Sequence, residues 1–94
     1  MVLNEQELSL RNAVIATEAG LQAIAAGADS IDLSALKTVD SSAVAVLLAW
    51  LRAAQAEQRE LTFIGAPANL LSLISLYGFD DVLPLAVIPS PERH

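Results

Sequence analysis

Apolar residues at Leu10, Val14, Leu21, Ile24 and Ala25 follow a helical spacing. Ser9 in front supplies an N-cap and Gly27 behind a stop. Gly20 interrupts this helix at a cost of about 1 kcal/mol relative to Ala. Ahead of it, Val2 and Leu3 begin a strand that the polar run Glu5-Gln6-Glu7 cuts short. Ile31 to Leu33 reads as a short buried strand, and Leu61 to Ile64 as a second, closed by Gly65. Between them a central helix runs from Ser41 to about Gln58, stopped by Glu57-Gln58-Arg59-Glu60. Pro67 suits the first turn of a third helix with Leu70, Leu73, Ile74 and Tyr77 on one face and Gly78 as its cap. Asp80 and Asp81 cap a last turn leading into Leu83 to Ile88, and Pro89 to His94 is a frayed tail.

The order is helix, strand, helix, strand, helix, with a weak strand in front. It predicts an α/β fold: a largely parallel sheet with right-handed crossovers, packed by helices. No linker or repeat divides the chain, so residues 1–94 read as one domain with a core over about 7–85.

The central helix is apolar nearly all round. Leu47, Leu48, Leu51 and Ala54 share one side, the core stripe. The other carries Ala43, Ala45, Val46, Ala49, Trp50 and Ala53, with Arg52 at its edge. Two accounts of that second side stand together. Alanine is a strong helix former with little apolar surface. Alternatively, Val46, Ala49, Trp50 and Ala53 form a partner surface with the indole as its anchor. Leu71 and Leu76, off the core face of the third helix, add to the second account.

Composition narrows the function classes. A net charge of −6 with five Lys and Arg argues against nucleic acid or an anionic membrane as partner. No cysteine is present, which removes disulfides and thiolate metal sites. The longest apolar run, Ala43 to Leu51, is nine residues, about half of a membrane span. The first residues lack the charge and apolar stretch of a secretion signal. A cytoplasmic protein with no direct membrane insertion is the expectation.

Candidate chemistry concentrates at Asp40-Ser41-Ser42, directly before the central helix. Side-chain oxygens there accept from first-turn amides, and the helix dipole tolerates added negative charge. A hydroxyl so placed can be read by a partner or phosphorylated; it is equally well explained as a helix cap. A serine hydrolase needs a base and a group to orient it, and the only histidine is His94, at the last position. Asp32 and Asp40 flank one loop, where a Mg²⁺ site is conceivable, but capping or solvated roles account for them. Asp80 and Asp81 read as capping residues. The four glycines are scattered singly, so no phosphate loop exists. Neither an enzyme, a metal nor a cofactor is expected.

The combination is more specific than its parts. Ile31-Asp-Leu, a six-residue loop and Val39-Asp-Ser-Ser before an apolar helix resemble the STAS domain family, named for sulfate transporters and anti-sigma-factor antagonists. The likeness continues through Leu61-Thr-Phe-Ile-Gly and Leu73-Ile-Ser-Leu-Tyr-Gly-Phe-Asp-Asp-Val-Leu-Pro. It implies a mixed, mostly parallel sheet packed by helices. Within the family, Ser42 to Trp50 and the Leu-Tyr-Gly-Phe segment look most like the MlaB-like members. Those are cytoplasmic subunits of an ABC transporter that maintains lipid asymmetry of the Gram-negative outer membrane. The resemblance implies that the chain binds the transporter's ATPase, peripheral to the inner membrane, with Ser41 at the position of the family's functional hydroxyl. In anti-sigma-factor antagonists the matching serine is phosphorylated by a partner serine kinase, which is the alternative reading. Antagonists commonly carry glycine two residues after that serine; Ala43 here pulls toward the MlaB-like group. The N-terminal strand looks abbreviated.

Overall fold

The computed structural model describes residues 1–86. Its elements run β1 (Glu7–Leu8), α1 (Ala13–Ala25), β2 (Ser30–Asp32), β3 (Thr38–Val39), α2 (Ser41–Ala56), β4 (Thr62–Ile64), α3 (Ala68–Leu76) and β5 (Leu85–Ala86). β2, β4 and β5 form a parallel sheet in the order β2-β4-β5, and β1 pairs in parallel with β3. Met1 to Leu3 lies beside β2: Asp32 N donates to Met1 O and Leu3 N donates to Asp32 O. The protein is thus α/β, its parallel strands packed by helices. The expected continuation of the last strand through Ile88 and the tail Pro89 to His94 lie outside the described residues.

Two strands were not expected. β1 forms where the acidic run was to end the strand, because Lys37 and Thr38 donate their amides to Gln6 O and the pairing is main-chain. Glu7 stays half-exposed while Leu8 is fully buried, an alternation too short to show in a window of side chains. β3 lies in the segment read as a polar loop.

The first helix begins later than its N-terminal serine suggests. Ser9 caps a separate turn: its hydroxyl accepts from Arg11 N at 3.2 Å, and Asn12 Oδ1 accepts from Ser9 N at 3.0 Å. Leu10 therefore stands outside the helix. α1 buries Ile24, as its spacing predicts, together with Ala16 and Gly20, and leaves Val14 and Ala25 exposed. Trp50 is the cause of this facing. Its indole is fully buried between α1 and β4, with its ring centroid 6.5 Å from that of Phe63. A Cβ at Gly20 would sit 2.1 Å from indole Nε1, which donates to Thr17 O at 3.1 Å. Only glycine lets α1 lie over the indole, so the helix takes a residue poor in helix propensity to gain a large buried ring.

All three described helices end alike. After α3, Gly78 N donates to Ser75 O and Phe79 N to Ile74 O, the paired bonds of a left-handed C-terminal cap, with Gly78 at φ +78°. α1 ends the same way at Gly27. α2 uses Gln58, at φ +58°, in the same geometry. The core stripe of α2 is as expected at Leu47, Leu51 and Ala54, while Leu48 is half-buried.

Candidate functional site

The start of α2 is fixed by one carboxylate. β3 delivers Asp40 in an extended conformation, and its Oδ1 accepts from Ser42 N at 2.8 Å, the N-cap bond. Oδ2 accepts from Leu10 N at 3.1 Å. The Leu10 amide first, then the Ser42 amide, hold the Asp40 carboxyl below its ordinary value, because both bond the charged form. Asp40 therefore ties the turn before α1 to the first turn of α2.

Successive helical residues diverge by about 100°, and the two hydroxyls consequently face different ways. Ser41 is exposed and lines a shallow groove of 290 Å³ with Val44, Ala45, Leu48, Tyr77 and Phe79. Ser42 is half-buried and lines a second groove, of 310 Å³, whose walls include Val14, Glu18 and Ala45. Ala45 belongs to both grooves. Around them stand large apolar side chains in water: Leu10 is 80% exposed, Val14 77% and Tyr77 50%.

The interface expected on the second side of α2 is not available. Trp50 and Val46 are buried beneath α1, and Ala49 and Ala53 are half-buried. The physical reason is the fit of the indole against Gly20. The exposed apolar side chains are instead Leu10 and Val14, which helical spacing assigns to the core. The missed signal was the pair Ala16 and Gly20, small residues one helical turn apart that suit close approach of a second helix.

Other acids make no site. Asp32 accepts from the Ser34 hydroxyl at 2.6 Å and from Ser34 N at 2.9 Å, and that hydroxyl is the main reason its carboxyl lies below the ordinary value. Asp32 is taken up by its own turn, and Asp40 by the amides of Ser42 and Leu10. Among the described residues no three His, Cys, Asp or Glu side chains gather as metal ligands. The groove beside Ser41 has no carboxylate or imidazole in its lining. His94 lies outside the described residues. No described helix is long and apolar enough to cross a membrane.

A family model described as "Mlab, STAS domain" matches residues 6–87. No curated protein gives a match. Among solved structures, the chain is similar to the crystal structure of a candidate anti-sigma factor antagonist from Thermotoga maritima. The TM-score is 0.76 and the identity 17%, over 97% of this chain and 80% of that one. At that identity the likeness is one of fold.

Proposed function

Because the chain belongs to the MlaB-type STAS domain family, we propose that it is a non-enzymatic cytoplasmic subunit that binds the ATPase of an ABC transporter. The transporter is one that maintains outer-membrane lipid asymmetry, and the chain sits at the inner membrane through that complex. The observation that carries the reading is the surroundings of Ser41. Its hydroxyl is exposed between apolar walls, the neighbouring Asp40 spends both oxygens on backbone amides, and its groove is lined by no base. Such a site recognises; it lacks the proton acceptor that nucleophilic catalysis requires.

A second reading is favoured by the fold likeness to a candidate anti-sigma factor antagonist. Here Ser41 is phosphorylated by a serine kinase, and the added −1.5 to −2 charge (approximately) beside Asp40 breaks the contact. Affinity purification from the native cell separates the two. Capture of an ABC ATPase with membrane subunits supports the first, and capture of an ATP-dependent serine kinase the second. With the purified ATPase, Ser41→Glu should bind more weakly than Ser41→Thr, which keeps the hydroxyl.

A further inference from the structure

The face around Ser41 is apolar at its centre and acidic at its edges. Ala45 forms a low ridge, one methyl high, between the two grooves. Val14 rises on one side and Tyr77 on the other. Glu18 lines the first groove, and Asp80 and Asp81 directly follow Phe79 of the second. No Lys or Arg among the described residues lines either groove. Arg11, next to Leu10, stands 3.8 Å from Glu7, and Arg52 lies eleven residues beyond Ser41, about 16 Å along the helix.

We propose that this face receives an amphipathic helix of the partner, its apolar side laid over Ala45 and its flanks carrying Lys or Arg. This rests on the reading of the Ser41 face as a partner surface and adds the shape and charge of what docks there.

The shape follows from the two grooves. Helices pack by setting rows of side chains into the grooves of a neighbour, with axes about 8–10 Å apart. The methyl of Ala45 permits the short end of that range. Apolar residues three or four apart on an incoming helix would drop on either side of the ridge, one toward Val14 and one toward Leu48 and Tyr77. The face is built from α1, α2 and the turn after α3, so it presents no strand edge for an extended peptide to join.

The charge follows from the rim. Glu18, Asp80 and Asp81 face solvent on a chain of net charge −6. A partner with acidic flanks would be repelled, and one with basic flanks steered in. A second copy of this chain would set acidic rim against acidic rim, which disfavours self-association through this face.

The test uses the intact chain and two capped helical peptides of about 18 residues, long enough for marginal helicity in water. Both carry the same Leu/Ala stripe, one with Lys flanks and one with Glu flanks. NMR titration should show the Lys peptide binding at least about 10-fold tighter at low salt, with the gap closing as salt screens the rim. Shifts should centre on Val14, Ala45 and Tyr77. Ala45→Arg, which raises the ridge while keeping helix propensity, should abolish binding without lowering the melting temperature. Equal affinity for the two peptides, shifts centred elsewhere, or dimerisation through Ala45 would overturn the proposal. Capture of the ATPase distinguishes the layers. If Ala45→Arg blocks the ATPase but the Lys peptide does not bind, the basic helix is wrong and the partner face stands. If neither Ala45→Arg nor Ser41→Glu affects the ATPase, both are wrong.

Discussion

The two ends of the α1–α2 contact are built from similar apolar residues and have opposite fates. Toward the middle of α2, Trp50 meets Gly20 and the Thr17 carbonyl and is sealed completely. Toward its start, Val14 stands 77% exposed beside Ser42 and Ala45, and Leu10, tied by its amide to Asp40, is 80% exposed. Hydrophobicity does not separate them; the size of the facing residue does. Where α1 offers Gly20, the helices close over a large ring. Where it offers valine beside a turn, they leave a groove. Burial in this domain is set by pairs of residues, and a one-helix reading cannot see pairs.

The largest test of that contrast compares its two members directly. Trp50→Ala removes a fully buried ring and should cost about 3–5 kcal/mol, enough to unfold much of a small domain's population. Val14→Ser should change stability by less than about 0.5 kcal/mol. Chemical denaturation of both variants measures this. Similar losses would mean that the groove end is part of the core after all.

Gly20→Ala sharpens the same contrast with a single methyl. On propensity alone it should stabilise α1 by about 1 kcal/mol. The new Cβ would lie 2.1 Å from the indole nitrogen, so we expect net destabilisation of about 1–3 kcal/mol from overpacking. The same substitution at an exposed helical position has only the propensity term. A thermal melt that rises would show that the indole is not held where the hydrogen bond to Thr17 O places it.

These residues also show how much was legible. Alternating helices and strands, the core stripe at Leu47 and Leu51, and the stops at Gly27 and Gly78 follow from local patterns that act within one element. The strands β1 and β3 did not, because two-residue main-chain pairing leaves almost no side-chain signature. At the candidate site, Asp40 is legible as the N-cap of α2, because capping chemistry is local. Burial around it does not follow the spacing: Leu10 and Val14, on the predicted core face, stand exposed, and Trp50, a candidate for an outer surface, is sealed, since apolar spacing marks a face without saying which neighbour covers it.

A gentler perturbation addresses the open end. Asp40→Ala removes both the N-cap of α2 and the acceptor for Leu10 N. Hydrogen exchange should show the Leu10 and Ser42 amides losing protection while the Trp50 end keeps its own. The pH dependence has a definite sign. Asp40 is held below its ordinary value in the fold, so its contribution is present above the unfolded pKa, about 3.9. It is lost as pH falls through the lower folded value. In the wild type, Leu10 protection should therefore weaken only on the acid side of about pH 4, and Asp40→Ala should show no such step. A Leu10 amide equally protected in both proteins would mean that the turn holds its place without the carboxylate.

The smallest expected effect lies at the far end of α2, away from both members of the comparison. Gln58 takes the left-handed conformation, φ +58°, that Gly27 and Gly78 take after the other two described helices. Left-handed backbone costs an L-residue roughly 1–2 kcal/mol. Glycine avoids that penalty but gives back part of it through greater freedom of the unfolded chain. Gln58→Gly should thus stabilise by up to about 1 kcal/mol, read as a rise in denaturation midpoint with unchanged slope. Because Gln58 is exposed and beyond Ala56, affinity for a partner at the Ser41 face should not move. A stabilised variant with altered affinity would mean that the groove between Val14 and Ala45 depends on the stability of the whole helix, and the two ends could no longer be treated as separate.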